Sequence, residues 1–112
     1  MSFRFMSLDI YRSARELAVL VAGMEVRRGT LRDQLDRACE SVVLALAEGL
    51  PHDSVRMRRQ YFARAKASLA EVAGAADLGA AVGAINAQQA ASVIALASKV
   101  RAMTVGLLRV TE

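Results

Sequence analysis

The stretch that decides the fold is Thr30–Glu71, TLRDQLDRACESVVLALAEGLPHDSVRMRRQYFARAKASLAE. Apolar residues recur at three- and four-residue steps up to Gly49, break off across Leu50–Asp53, and resume beyond it. That pattern predicts two antiparallel helices joined by a short turn. Gly49 is expected to supply a left-handed position after an apolar helix end, and Pro51 cannot continue the helix. Asp53 or Ser54 can then accept the first free amides of the next one.

The two helices have different outer faces. On the earlier one, Leu31, Leu35, Ala38, Val42, Ala45, Leu46 and Gly49 share one side, while Asp33, Asp36, Arg37 and Glu40 share the other. Arg37 can pair there with Asp33 or Glu40. Leu44 projects from this polar side beside Ala47. The later helix carries a stripe of larger residues, Tyr61, Phe62, Ala65, Leu69, Val72 and Ala76, which is the expected core face. Opposite it, Ala63, Ala67, Ala70 and Gly74 form a strip of small residues at 4-3-4 spacing. Such a strip is either alanine filling exposed helix positions or a surface on which another helix packs closely.

Charge separates the two helices further. Arg56, Arg58, Arg59, Arg64 and Lys66 fall within half a helix, with no acid between Ser54 and Ala70, whereas Thr30–Leu50 has two bases against four acids. A basic helix beside an acidic one favours a head-to-tail contact between copies, which closes into a ring when the rotation permits. The expected contact sets Arg59 or Arg64 of one copy near Asp36 or Glu40 of the next, with Leu44, Ala63, Ala67, Ala70 and Gly74 at the interface.

Gln34–Gly49 (QLDRACESVVLALAEG), with Ser54, Tyr61-Phe62 and Ala67–Glu71, resembles the four-helix-bundle proteins encoded in intervening sequences of bacterial ribosomal RNA genes. More distantly it resembles the accessory proteins of diversity-generating retroelements. The resemblance covers the middle of the chain strongly, the first helix weakly and the last hardly at all. It implies an all-α protomer, often assembled as a ring of five, with a nucleic-acid association in some members and no known chemistry. The chain departs from the pattern at Ala45, where an Asn is common, and at Leu50-Pro51-His52, where polar or basic residues usually follow.

Outward from the hairpin, the 112 residues suffice for one domain. A helix is expected to start after Ser7 as N-cap, with Asp9 in its first turn and Met6 against Tyr11 as a hydrophobic staple. Ile10, Ala14, Leu17, Val21 and Met24 give its buried stripe, and it should stop near Arg28-Gly29. Thr30, with Asp33, then caps the next helix in a loose capping box. At the other end, Gly79 or Gly83 should end the third helix, and Asn86 with Gln89 should box the fourth. Val93, Leu96, Ala97, Val100, Met103 and Leu107 make the fourth stripe, with Ile94 and Val105 lying off it. The expected fold is all-α, an up-down-up-down antiparallel four-helix bundle with helices near 8–28, 31–49, 55–78 and 87–109. It is expected to assemble into a cyclic homo-oligomer, with a pentamer the count that the resemblance implies.

The composition is 54% hydrophobic with one Pro and no Trp, which fits neither a turn-dense β chain nor a disordered one. A lone cysteine excludes an internal disulfide, and no secretory pattern opens the chain, so the cytoplasm is the expected compartment. The uncharged run Leu78–Ser98 is long enough to raise a membrane reading. Asn86, Gln88, Gln89, Ser92 and Ser98, with two glycines, argue for a turn and a soluble helix instead.

The residues offer little for catalysis. His52 is the only histidine and Cys39 the only cysteine, separated by about 20 Å at helical rise, so neither a zinc set nor a nucleophilic pair is expected within one copy. No carboxylate–histidine pairing suits a di-iron site, and no glycine-rich phosphate loop is present. No cofactor or small-molecule substrate is expected. Ser41 and Ser68 should mark close helix packing. Glu48, in the last turn of its helix against the dipole, is expected to form a structural ion pair with Arg56 or Arg58.

A net charge of +4 and a sequence pI of about 10.0 favour polyanionic partners. The expected nucleic-acid surface is Arg56, Arg58, Arg59, Arg64 and Lys66. Because only Phe3, Phe5 and Tyr11 remain outside the core as aromatic partners, contacts should be mainly with phosphates. Two readings follow. One is a non-enzymatic accessory protein that binds RNA or a nucleic-acid-processing protein. The other is a protein-binding scaffold whose arginines are consumed in salt bridges between copies.

Overall fold

The computed structural model describes residues 3–111. After a single 3-10 turn at Arg4–Ser7, the chain forms α1 (Asp9–Ala22), α2 (Gly29–Gly49), α3 (Val55–Ala81) and α4 (Ala87–Val110), with no strand among the described residues. Each helix packs on its neighbours in sequence and α1 closes against α4, an order consistent with an up-down-up-down bundle. The α2–α3 contact is the most extensive.

The predicted stripes meet in one core. Leu17 and Val21 of α1, Leu35, Val42 and Leu46 of α2, Leu69 and Val72 of α3, and Val93 and Val100 of α4 are fully buried. Each large aliphatic side chain removed from water in this way contributes about 1.5–3 kcal/mol. Thr104 is also fully buried, and its hydroxyl donates to the Val100 carbonyl at 2.8 Å, which satisfies the polar atom within its own helix. Ser68 and Ser41 touch between α3 and α2, the Ser68 hydroxyl donating to Ser41 Oγ at 2.8 Å, as expected of small residues at a close crossing.

Two helix starts follow the sequence reading. Ser54 Oγ accepts from the Met57 amide at 3.2 Å, and Asn86 Oδ1 accepts from the Gln88 and Gln89 amides, the cap half of the expected box, with no return bond from the Gln89 side chain among the described residues. Two do not. Ser7 is spent inside the 3-10 turn, where its hydroxyl donates to the Arg4 carbonyl, so Leu8 enters α1 without a side-chain cap. Phe5 packs edge-on against Tyr11, with ring centroids 5.1 Å apart. Thr30 lies within the first turn of α2 behind Arg28, which also offers no cap, so the Thr30–Asp33 box is absent.

Two helix ends also differ from expectation. α1 stops at Ala22, well before Arg28. Arg32 of α2 reaches back to this end, its guanidinium donating to Val21 O in the last turn of α1 at 2.7 Å and to Met24 O in the connection that follows at 2.8 Å. α2 runs through Gly49 with right-handed backbone. The glycine is needed for closeness: a Cβ at Gly49 would stand 2.8 Å from Tyr61 Cβ and 3.1 Å from the Phe62 ring. α3 keeps to expectation at its end: it continues through Gly79 to Ala81 and is ended by Gly83, the second of the two glycines expected there, which adopts φ +76°. The Ala84 amide bonds Gly79 O at 2.8 Å and the Gly83 amide bonds Ala80 O at 3.2 Å, the two bonds of a Schellman ending.

At that same end, Arg27 ties two loops together. Its amide bonds Ala84 O at 2.9 Å and its guanidinium bonds Gly83 O at 3.0 Å. Among the described residues, α4 is the one helix long and apolar enough to cross a membrane by length and composition; Val93, Ala97, Val100 and Thr104 on it are buried in the bundle.

Candidate nucleic-acid interface and the two faces of the bundle

The basic run of α3 does not act as one patch. At 3.6 residues per turn, Arg56, Arg59 and Lys66 fall on the side of Ala63, Ala67, Ala70 and Gly74, whereas Arg64 lies on a flank and Arg58 on the far side. The structure shows what each does. Arg58 turns back on the α2–α3 turn and donates to the His52 carbonyl at 2.9 Å. Arg59 donates to the Leu108 carbonyl at 3.2 Å, where a cation complements the C-terminal end of α4. Arg64 stands 5.5 Å from the centre of the Tyr61 ring, in cation–π range. Arg56 is exposed and Lys66 half-buried.

The small strip is open to solvent in the protomer, as Ala63, Ala67, Ala70 and Gly74 are all exposed. Between α3 and α4 it forms a groove lined by Arg59, Ala63, Lys66, Ala67, Ala70, Arg101 and Leu108. Arg101 is the addition that the α3 run did not announce; it sits one helix away and is recognisable in sequence only once the partner of the strip is known. The result is a shallow channel with alanines on its floor and three cations on its rim.

The α1–α2 side has the opposite character. Val19 is 65% exposed and Leu44 61%. Together with Arg15, Ala18, Ala22, Glu40 and Val43 they line an apolar groove. A second hollow, bordered by Ala18, Ala22, Arg32, Asp36, Cys39 and Glu40, continues it. Asp36 is already held by Arg32 at 3.1 Å, while Arg37, expected to pair on this face, is exposed without an ion pair among the described residues. Glu40 has no ion-pair partner among the described residues either.

Glu48 finds a neighbour other than the one expected. Glu48 makes no ion pair with Arg56 or Arg58 among the described residues, because Arg58 is drawn to the His52 carbonyl. The Glu48 carboxylate lies beside the Tyr61 hydroxyl, and hydrogen bonding to it raises that phenol's pKa above its ordinary value. Glu71 Oε2 accepts from Gln34 Nε2 at 3.4 Å across the α2–α3 pair. Cys39 is buried, and burial together with the Asp36 charge pushes its thiol up to about 11. Its thiolate is therefore scarce near neutral pH.

The fold and this surface define a class: an all-α protomer with one basic, small-residue face, one apolar face, and no His, Cys, Asp and Glu cluster fit for a metal among the described residues. Within that class the chain belongs to the 23S rRNA-intervening sequence protein family, whose model matches residues 6–106. No curated protein matches the chain.

Proposed function

We propose that the protein is a non-catalytic accessory protein that assembles head to tail into a ring and binds RNA through basic side chains of α3. The carrying observation is that the two exposed faces differ: Ala63, Ala67 and Ala70 between Arg59, Lys66 and Arg101 on one side, Val19 and Leu44 between Glu40 and Arg15 on the other. A second copy's α1–α2 face laid on the α3–α4 groove pairs Leu44 with the alanine floor and Glu40 with Lys66 or Arg59. Two unlike surfaces make a heterologous contact, which repeats until it closes. The family resemblance supports five copies.

In that ring Arg56, Arg58 and Arg64 lie outside the groove and are repeated once per copy, the arrangement that suits a phosphate backbone. Arg58 and Arg64 keep outward N–H donors beyond the one hydrogen bond and the one ring contact they make. The family's tie to intervening sequences of 23S rRNA supports RNA as the polyanion. The protein works in the cytoplasm on this reading, away from membranes and without cofactor or small-molecule substrate.

A second reading has its own observation. Arg58 and Arg59 already serve carbonyls of their own chain, and Lys66 with Arg101 rims the proposed interface, so the arginines can be consumed by structure and assembly in a scaffold with no nucleic acid. Light scattering on a size-exclusion column, with and without a structured RNA at low and moderate salt, separates the two. The accessory-protein reading expects an RNA complex that weakens as salt rises and is lost in Arg56→Ala/Arg64→Ala, with the ring intact. A ring that ignores RNA in every salt selects the scaffold.

A further inference from the structure

The end of the bundle that carries the α2–α3 turn also carries the aromatic rings left outside the core. Phe3 and Phe5 are stacked, with centroids 5.8 Å apart and planes at 22°. Phe5 in turn meets Tyr11 of α1 edge-on at 5.1 Å, so the pair is anchored to the bundle from beneath. Phe3 is 69% exposed and presents an open ring face. Beside it lies a hollow lined by Arg4, Phe5, Leu8, Leu50 and Pro51. One residue beyond Pro51 and His52's carbonyl, bonded by Arg58, places a second guanidinium at this end. Residues 3–12 and 50–59 together hold five bases, Arg4, Arg12, Arg56, Arg58 and Arg59, against two acids, Asp9 and Asp53.

We propose that this end is a stacking site for an unpaired RNA base, which lies on the open face of Phe3 while its flanking phosphates sit against Arg4 and Arg58. The proposal rests on the RNA-binding reading above and goes beyond it by naming the form of RNA: a single strand or loop, not a duplex. A base inside a helix has both faces covered by its neighbours, whereas an unpaired base has a free π-face to offer an aromatic ring. An anchored, outward ring next to guanidinium groups is how sequence-tolerant single-strand sites are built, with cations tracking the backbone and rings taking the bases. The cationic rim is what favours a nucleic acid here over an apolar protein segment.

The test uses the full chain, a labelled single-stranded oligouridylate, a blunt-ended RNA duplex of equal length, and a single strand carrying 2-aminopurine as a stacking reporter. The single strand is expected to bind more tightly than the duplex and the reporter to be quenched. Phe3→Leu keeps apolar bulk but removes the π-face, and should weaken single-strand binding about fivefold or more and abolish the quench. Phe3→Tyr should retain both. Since Phe3 is mostly exposed, circular dichroism should be unchanged in either variant. Arg4→Gln should weaken both RNAs and lower the salt slope by about one. If Phe3→Leu leaves affinity and quench unchanged, or the blunt-ended duplex binds as well as the single strand, the stacking site is overturned while RNA binding stands. If neither RNA binds at low salt, both proposals fall.

Discussion

The α3–α4 face and the α1–α2 face are built on the same core yet expose opposite chemistry. On α3 the outward positions are alanine and glycine flanked by cations, so backbone can be approached closely and the local field is positive. On α1 and α2 the outward positions include Val19, Val43 and Leu44 between Arg15 and Glu40, so apolar side chains protrude and the groove carries one charge of each sign. The difference teaches that an amphipathic helix can be specified twice. One stripe fixes the bundle, and what is left over on the other side decides what the bundle meets.

Placing a charge on the protruding face should break this relation most sharply. Leu44→Asp leaves the core untouched, since Leu44 is largely exposed, and is expected to convert the assembly to monomer at micromolar concentration with an unchanged melting temperature of the protomer. Gly49→Ala acts on both faces at once through the hairpin that carries them. The new methyl meets Tyr61 Cβ and the Phe62 ring, so stability should fall by about 1–3 kcal/mol in urea unfolding, the usual cost of forcing an extra carbon into a packed contact. An unchanged urea midpoint would mean that α2 and α3 can separate at no cost there.

Smaller effects sharpen the comparison on the α1–α2 side. Arg32→Ala removes one bond to the last turn of α1, one to the connection after it and the partner of Asp36, and should cost about 1–3 kcal/mol, with hydrogen exchange accelerated in α1 before α3. Smallest is the effect of Cys39. Its folded pKa, about 11, lies above the ordinary thiol value, so the folded state holds the proton more tightly than the unfolded one. The contribution is present in full below the unfolded pKa and is lost as pH rises toward 11. Cys39→Ala should flatten stability against pH between about 9 and 11, and the wild-type thiol should resist alkylation at pH 8 while folded.

Much of this architecture is legible in the sequence, because the information is local. Ser54 and Asn86 cap where their side chains can reach amides two and three residues ahead, and the stripes of all four helices point inward as their spacing requires. What is not legible depends on distant neighbours. Gly49 looks like a helix-ending glycine until α3 is laid across it. Arg32 looks like one more surface charge until the end of α1 arrives beside it, eleven residues back in the chain from Arg32 to Val21. Ser7 and Thr30 have the right side chains for caps, but the backbone entering each helix puts another residue in that position. The division of the α3 arginines lies between these cases. Helical period alone sorts Arg56, Arg59 and Lys66 from Arg58, whereas the carbonyls that engage Arg58 and Arg59 come from a turn and from α4.

The central claim is that one face of each copy docks on the unlike face of the next, and mixing two crippled proteins tests it most directly. Leu44→Asp spoils the α1–α2 face and Ala67→Asp spoils the α3–α4 face, so each variant alone should scatter as a monomer of 12.0 kDa. Mixed in equal amounts, they retain one good pair of faces between them and should form a dimer of twice that mass that grows no further. A mixture that stays monomeric, or a single variant that still forms the wild-type assembly, would contradict the head-to-tail account.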